Sequence, residues 1–319
     1  MNRNVLILGV NGQDGIMLSN ILAAKDFFVF GVGKSAKPHP ALNSKVRYRS
    51  IDIRDTKQLL EFINKHEIAL VYNLAGISSV AYSFNNPSET FEVNTVAVKR
   101  LLEGLKGNLQ KDLRFYQASS SEMFGVTNTA TQDESTDFNP VSPYAASKVQ
   151  THLLCRELRN QGAFVSAGIL FNHESIYRPE SFVTRKITSG LARVALGIQD
   201  KILLGNLTAE RDWGFAGDYV DAMSLIMHHS RADEFVVATG KKHSIGDIVE
   251  VVIKSLGITK SSSEIVQLDM GLSRPQDVKC LVGNPSKSHI ELGWRPRKSF
   301  EELISEMALH DFYLQKTNN

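Results

Sequence analysis

The stretch Val5-Leu6-Ile7-Leu8-Gly9-Val10-Asn11-Gly12-Gln13-Asp14-Gly15 joins a short apolar run to a turn rich in glycine. The residues that follow, Gly15–Ala24, have the spacing of a helix. Glycines at these positions permit a tight turn, and a helix that starts there points its free N–H groups at an anion. The stretch therefore predicts a site for the diphosphate of a dinucleotide, which we assign to Gly9, Gly12, Gln13, Asp14 and Gly15. The alternative is a glycine turn without a ligand.

Short apolar runs alternate with helical patterns through the first half of the chain. The predicted strands are Val5–Leu8, Phe28–Val32, Ala69–Leu74, Arg114–Ala118 and Val165–Leu170, and the predicted helices are Gly15–Ala24, Thr56–Lys65, Val93–Leu105 and Tyr144–Arg159. This alternation is typical of an α/β fold with right-handed crossovers and helices on both faces of the sheet. The sequence therefore predicts a doubly wound parallel sheet.

The alternation loosens after about residue 172. Helical spacing recurs in Ser181–Gly197, Asp218–His228, Ile245–Leu256 and Ser299–Tyr313, whereas Gly205–Gly217 and Thr127–Pro143 are predicted loops, the latter over the site. We expect residues 1–171 to form a dinucleotide-binding domain that carries the catalytic residues. Residues 172–319 are expected to form mainly a smaller α/β region for the substrate, with an approximate boundary because the chain interleaves.

The bulk composition is that of an ordinary soluble protein. The chain has 319 residues, of which 22% are charged and 42% hydrophobic, with a net charge of +2. This balance gives no reason to expect nucleic acid as a partner. The two cysteines, Cys155 and Cys280, are typical of a reducing compartment. Neither a signal peptide, a membrane-spanning run nor a metal-ligand spacing is present, so we expect a cytoplasmic protein without a metal site.

The end of the second predicted strand bears on the choice of cofactor. An acidic residue there would bind the ribose hydroxyls of NAD, but the sequence is Gly33-Lys34-Ser35-Ala36-Lys37. Lys34 and Ser35 suit a 2′-phosphate, which favours NADP over NAD, unless the lysines are simply solvated. Asp52 is a candidate acceptor for the adenine amine, and Leu74-Ala75-Gly76 ends a strand with small residues against which a cofactor can lie.

Catalytic chemistry is indicated by Tyr144 and Lys148, which follow the run Ser119-Ser120-Ser121-Glu122. Positions i and i+4 share one helix face, so Lys148 can lie near Tyr144. A phenol has a pKa of about 10, and a nearby ammonium is expected to lower it and favour the phenolate. A serine hydroxyl can hold a substrate alcohol against that base. The carboxylate of Glu122 indicates chemistry beyond simple alcohol oxidation.

These features in this order resemble the extended short-chain dehydrogenase/reductases. Finer motifs resemble the GDP-mannose 4,6-dehydratase family nearly end to end: Asn11–Gly15, Phe115–Ser119, Phe171-Asn172-His173-Glu174-Ser175, Phe182–Ile187, Leu204–Leu207, Arg211-Asp212-Trp213-Gly214, Arg274-Pro275 and Trp294-Arg295-Pro296. The resemblance implies a Rossmann domain followed by a nucleotide-sugar region. It also implies that a GDP-sugar is the substrate and that the protein is a homodimer or homotetramer.

The resemblance also implies roles for individual residues. Ser120, where the family usually has threonine, Glu122, Tyr144 and Lys148 would be catalytic. Positions that hold the GDP-sugar are matched by Asn172, Val183, Lys186, Gly205, Asn206, Arg211 and Arg274, and Asp277 stands where the family has glutamate. We further assign Ile53 and His173, with Tyr144 and Lys148, to the cofactor side, and Ser79 and Ser121 to the substrate side. For His173 a hydrogen-bonded structural role is favoured over that of a base.

The implied reaction converts GDP-mannose to GDP-4-keto-6-deoxy-mannose by internal hydride transfer from C4 to C6. One alternative is a related GDP-sugar substrate such as a GDP-heptose, and another is an epimerase or 4-keto reductase, which Glu122 disfavours. A non-catalytic NADP-binding regulator is the alternative from another class. Two departures leave the sugar and the tetramer open: a shortened segment after the second strand, with Gly33 and Lys34 in place of paired arginines, and a shortened stretch before Arg274.

Overall fold

The computed structural model describes residues 3–269, 271 and 278–318. The strands are β1 Asn4–Leu8, β2 Phe28–Gly33, β3 Arg47–Ser50, β4 Leu70–Asn73, β5 Arg114–Ser120, β6 Val165–Leu170, β7 Asn172–Glu174, β8 Ile202–Leu204, β9 Glu210–Arg211, β10 Trp213–Phe215, β11 Glu234–Val237, β12 His243–Ser244, β13 Val266–Leu268 and β14 Cys280–Leu281. The helices are α1 Gln13–Ala24, α2 Thr56–Lys65, α3 Val80–Asn85, α4 Pro87–Phe91, α5 Ala97–Leu109, α6 Pro143–Asn160, α7 Val183–Ala195, α8 Ala216–His228, α9 Ile245–Leu256, α10 Ser262–Ile265, α11 Ser286–Glu291 and α12 Phe300–Asn318.

The main sheet has seven strands in the order β11-β6-β5-β4-β1-β2-β3. Every neighbouring pair in it is parallel. The predicted doubly wound parallel sheet is therefore confirmed, and all five predicted strands lie within it. Two edge strands were not predicted. β3 is polar and exposed, so it lacks an apolar run, and β11 is a buried run of four residues, too short to stand out.

Both faces of the sheet are covered because successive strand residues point to opposite sides. On one face Leu6 and Leu8 pack with the apolar sides of α2 and α5. On the other face Val5 and Ile7 pack with α1 and α8. Helix α8, which comes much later in the chain, thus packs against one face of β1. The C-terminal end of β1 is held at the point where the glycine turn begins.

The chain after β6 builds a second apolar cluster from α7, α9 and α12. Short strand pairs accompany this cluster, in which β7 pairs with β10 and β8 with β13. β11 nevertheless belongs to the main sheet and α8 packs against it, so parts of the chain after residue 171 join the sheet formed mainly by the residues before it. Ile245–Leu256 matches its predicted bounds, whereas Gly205–Gly217, predicted as a loop, contains β9 and β10.

The segment predicted as a loop over the site lies elsewhere. Residues 127–142 are mainly irregular, but Gln132 exchanges hydrogen bonds with the backbone of Val282, and Glu134 accepts one from the N–H of Val236. These contacts hold the segment against β11 at one edge of the sheet. Within the ranges that the structure describes, no helix combines the length and hydropathy needed to cross a bilayer.

Candidate active site

A cavity of about 790 Å³ opens at the C-terminal ends of the parallel strands. Every residue predicted for the cofactor lines it, as do the four predicted catalytic residues. On the substrate side it is lined by Ser79, Ser121, Asn172, Val183, Lys186 and Gly205. The strands β1 to β6 bring their residues together because they are parallel and end at the same edge of the main sheet. Asn172 and Gly205 come from β7 and from the turn after β8, which belong to two smaller sheets.

The glycine turn after β1 is shaped for close approach. The N–H of Gly12 donates to the carbonyl of Gly9 at 3.0 Å, and Gly9 has a φ of 80°. A Cβ on Gly9 would lie 2.7 Å from the backbone nitrogen of Ala75, and one on Gly15 would lie 2.5 Å from the Gly9 carbonyl oxygen. No side chain caps the start of α1 at Gly12, so its N–H groups suit a diphosphate.

The far end of the cavity carries Lys34, Ser35, Asp52 and Ile53. Arg54, to which the sequence analysis gave no role, also lines it and forms an ion pair with Asp52 at 2.7 Å. Its hydrogen bonds are the main reason that the pKa of Asp52 is lowered. Lys34 and Arg54 are thus two cationic side chains near Asp52, and cationic groups of this kind can bind a phosphate.

The residues predicted to be catalytic meet where β5 faces the start of α6. Ser142 caps α6 by accepting a hydrogen bond from the N–H of Ala145 at 3.1 Å, and Pro143 occupies the first turn. This start places Tyr144 within hydrogen-bond reach of the Ser120 side chain. Lys148 donates to the carbonyl of Ala118 at 2.9 Å, and its Nζ lies 5.8 Å from the centre of the Tyr144 ring.

The predicted lowering of the Tyr144 pKa is wrong for the protein by itself. Burial raises the pKa of Tyr144 to about 12, although the hydrogen bond from Ser120 opposes the shift. Burial also lowers the pKa of Lys148 to about 8. Loss of hydration disfavours the charged form of both groups, and the ammonium is not close enough to the phenol to outweigh it. Tyr144 is therefore protonated at neutral pH.

Glu122 follows β5 in a 3₁₀ turn, Ser121–Phe124. Its N–H donates to the Ser120 hydroxyl at 3.3 Å, which fixes the backbone of the turn. Glu122 lines the same cavity as Tyr144 and Lys148. An acid/base carboxylate and an acid/base phenol therefore face one volume, which allows protons to be moved at two atoms of a single substrate.

A buried network joins the glycine turn to β7. Gln13 donates to the His173 carbonyl at 2.9 Å and accepts from the Ser175 hydroxyl at 2.9 Å. His173 Nε2 lies 2.9 Å from Asp14 Oδ2, and its Nδ1 lies 2.7 Å from the Phe171 carbonyl. Burial would lower the pKa of His173, but Asp14 outweighs it and the pKa is raised. Both ring nitrogens are engaged, which fits the structural role favoured from the sequence.

Arg178 and Glu174 line the cavity but were not predicted as site residues. Arg178 donates to both oxygens of Glu174, at 2.6 and 3.1 Å, and lies 4.2 Å above the centre of the Phe182 ring. Thr184 donates to the same carboxylate at 2.8 Å. Glu174 lies within the motif Phe171–Ser175. Arg178 lies in none of the motifs, and the sequence around it does not distinguish it from a surface arginine.

Two predicted substrate residues do not line the cavity, and two others fall outside the described residues. Asn206 accepts from the N–H and the hydroxyl of Thr208, both at 2.8 Å, and does not line the cavity. Arg211 is buried in β9 and donates to the Glu210 carbonyl at 2.9 Å, again away from the lining. Arg274 and Asp277 fall outside the described residues.

Comparison with known proteins agrees with this geometry. The family model for GDP-mannose 4,6 dehydratase matches residues 6–307. GDP-mannose 4,6 dehydratase 2 of Arabidopsis thaliana is 40% identical over 328 residues, covering 98% of this chain and 87% of the plant protein. The human GDP-mannose 4,6 dehydratase is 37% identical, covering 99% of this chain and 93% of the human protein.

A solved structure with the same fold is UDP-glucose 4-epimerase of Thermotoga maritima in complex with UDP-glucose. It has a TM-score of 0.87 at 21% identity and covers 99% of this chain and 100% of that one. At this level of identity the likeness shows the fold alone, while the family match and the plant and human relatives identify the family. The chain belongs to the GDP-mannose 4,6-dehydratase family.

Proposed function

We propose that the protein converts GDP-mannose to GDP-4-keto-6-deoxy-mannose, with NADP as the resident cofactor. The observation that supports this most directly is that Ser120, Glu122, Tyr144 and Lys148 face the cavity that begins at the glycine turn. The first, third and fourth of these residues suit oxidation of an alcohol. The carboxylate adds a second acid/base group, which elimination requires.

The reaction begins with the C4 hydroxyl held between the Ser120 and Tyr144 hydroxyls. Tyr144 takes the O4 proton, and the charge of Lys148 supports its phenolate. An oxidised dinucleotide bound in this cavity would supply hydride transfer between C4 and C6, and the positive charge of its nicotinamide ring would favour the phenolate. The Gly9–Gly15 turn would hold its diphosphate, and Lys34 and Ser35 would face a 2′-phosphate.

Glu122 performs the elimination. The C4 ketone acidifies the C5 hydrogen, which Glu122 removes as a proton and passes to the C6 hydroxyl, so that this group leaves as water. Glu122 then takes up a proton from the solvent and delivers it to C5 when C6 is reduced. Tyr144 releases the O4 proton to the solvent, so both residues end in their starting states and the products are the 4-keto-6-deoxy sugar and water. An epimerase or 4-keto reductase has no need of this carboxylate at C5.

We infer that the assembly is a homodimer or homotetramer formed through α5 and α6, and that the protein is cytoplasmic. Leu153 on α6 supports the contact because 44% of it is exposed, an apolar side chain directed away from the core. The expected division at residue 171, with the cofactor before it and the sugar mainly after it, is part of the same proposal.

The test is incubation with GDP-mannose and NADP, with product sugars separated and identified. Glu122→Gln should lower dehydration by roughly 10²–10⁴-fold, the usual contribution of one acid/base group. Oxidation at C4 should survive, so reduced nicotinamide should accumulate in the variant and not in the unaltered protein. Unchanged dehydration in the variant would contradict the role of Glu122.

The same assay separates the alternatives. An epimerase yields a sugar without loss of water, a reductase consumes a 4-keto sugar, and a regulator yields no product. Parallel reactions with a GDP-heptose test the sugar, and parallel reactions with NAD test the cofactor. A clear preference for NAD or for the heptose would overturn that part of the proposal.

A further inference from the structure

The face of α6 that carries Tyr144 and Lys148 continues to His152. The three residues are spaced by four, so they lie above one another on the helix. All three are buried, and no part of His152 is exposed. His152 belongs to no motif that points to the reaction, yet it shares the face that does.

Three consecutive residues at the end of β5 meet this face one by one. The contacts are Lys148 Nζ to the Ala118 carbonyl at 2.9 Å and Ser119 Oγ to His152 Nδ1 at 2.8 Å, while the Ser120 side chain lies close enough to Tyr144 to affect its pKa. We call this set the β5–α6 ladder. Its middle rung, the Ser119–His152 contact, is central along β5 although His152 comes last along α6, and it is the only one of the three whose residues have no assigned part in the chemistry.

The middle rung is anchored on its far side by Glu234 at the start of β11. His152 Nε2 lies 3.1 Å from one Glu234 oxygen. Arg156 and Arg159, on the next turns of α6, approach the same carboxylate at 2.6 and 2.5 Å. Burial would raise the pKa of Glu234, but its contacts with His152, Arg156 and Arg159 outweigh burial and lower it, so the carboxylate is ionised.

The contact with Glu234 decides which group donates in the hydrogen bond between Ser119 and His152. Burial lowers the pKa of His152, so the ring is neutral and carries one proton. A carboxylate beside Nε2 favours that proton on Nε2, although the N–H is not aligned closely with it. Nδ1 is then an acceptor, and the Ser119 hydroxyl must donate to it. Ser119 therefore directs its proton into the helix and away from the substrate, although it borders the cavity.

We propose that Ser119 and His152 are positioning residues, whose hydrogen bond sets the separation between the end of β5 and α6 and so holds Tyr144 and Lys148 in register with Ser120. This inference rests on the proposed function. Its physical basis is that a base must lie within hydrogen-bond reach of the proton it removes. A misplacement of about 1 Å can cost on the order of 10²-fold in rate.

Two substitutions at His152 distinguish loss of the hydrogen bond to Ser119 from loss of the contact with Glu234. An asparagine amide ends near the position of Nδ1 and can accept from Ser119, whereas a glutamine amide reaches towards Glu234 and leaves Ser119 without an acceptor. Ser119→Ala removes the donor with little change in volume. Each variant is assayed as the full chain with GDP-mannose and NADP, and its unfolding midpoint is measured alongside.

We expect Ser119→Ala and His152→Gln to lower kcat by about 10-fold or more with KM for GDP-mannose little changed. His152→Asn should retain kcat within about three-fold, whatever its stability, because it keeps the hydrogen bond that positions the base. A merely structural role predicts instead that kcat follows the unfolding midpoint. Full kcat in Ser119→Ala, or equal losses in both His152 variants beside a normal Ser119→Ala, would overturn the proposal.

An unaltered protein that yields no 4-keto product would overturn the proposed function and not the ladder. The ladder is then decided by crystal structures of the unaltered protein and Ser119→Ala. Displacement of Tyr144 and Lys148 from Ser120 and Ala118 in the variant supports it, and superimposable side chains refute it.

Discussion

At His173, burial and a neighbouring carboxylate have opposite effects on one imidazole, and the carboxylate prevails because it lies only 2.9 Å away. At Lys148 no carboxylate is a hydrogen-bond partner, and burial prevails, so its pKa falls to about 8. The pKa of a histidine and the pKa of a lysine are thus shifted in opposite directions within one cavity. The sign of each shift is decided by the distance to the nearest opposite charge.

The Asp14–His173 pair gives a pH-dependent contribution to stability. The raised pKa of His173 means that its contribution is complete below the unfolded value of 6.5 and is lost as the pH rises through the folded value. The lowered pKa of Asp14 means that its contribution is present above 3.8 and is lost as the pH falls through the folded value. His173→Gln should therefore reduce the free energy of unfolding by about 1.5–3 kcal/mol at about pH 6 and by less at about pH 9.

The measurement is denaturant unfolding at both pH values. His66→Gln is the control, because burial lowers the pKa of His66 and it should show no excess loss at the lower pH. An equal loss for His173→Gln at both pH values would contradict the charged pair.

Among the secondary-structure elements, the start of α1 lies so close to the glycine turn that a side chain at Gly15 would not fit between them. A Cβ on Gly15 would lie 2.5 Å from a carbonyl oxygen of the preceding turn, whereas one on Gly107 in α5 would meet nothing within 4 Å. The first glycine is needed for approach, and the second only weakens its helix. The same residue type therefore has opposite consequences in two helices of one protein.

Gly15→Ala should destabilise the protein by about 1–3 kcal/mol, the usual cost of overpacking, and weaken binding of NADP. Gly107→Ala, its matched control, should stabilise the protein by about 0.5–1 kcal/mol and leave NADP binding unchanged. Urea unfolding and a fluorescence titration with NADP measure both effects. Normal NADP affinity in a folded Gly15→Ala protein would show that the turn does not hold the diphosphate.

At the scale of the whole molecule, the C-terminal helix α12 is tied to the wall of the cavity. Asp311 accepts from Arg185 at 2.6 Å and from Thr188 at 2.6 Å, and both sides of the ion pair are buried. Arg185 also donates to the carbonyls of Ile176 and Arg178. The last helix thus fixes the segment that brings Arg178 to the cavity.

Asp311→Ala should destabilise the protein by about 3–5 kcal/mol, because it leaves the Arg185 charge buried without its carboxylate. Lys99→Ala is the control: it removes an exposed ion pair to Glu103 and should cost less than about 0.5 kcal/mol. Thermal and urea unfolding measure both. Similar losses in the two variants would mean that the buried pair is compensated by other contacts.

Much of the site was predictable because its motifs are local. The glycine turn, Ser120–Glu122 and Tyr144–Lys148 each depend on short spacings that the chain itself displays. Arg178 in the cavity wall was not predicted, because its contacts with Glu174 and with the Arg185–Asp311 pair do not appear as a motif in the sequence around it. Among the predicted substrate residues, Asn206 and Arg211 lie off the cavity wall because each side chain is engaged locally.

Apolar periodicity and glycine spacing act over a few residues, so the parallel sheet, the order of its helices and the chemical groups at its C-terminal edge could be predicted from the order of the amino acids. The edge strands, the charges in the cavity and the contacts between distant segments depend on the folded chain and became visible only there. Gln13 and His173 are 160 positions apart, and Arg185 and Asp311 are 126 apart. Burial and electrostatic partners depend on such contacts, and a pattern of neighbouring residues does not contain them.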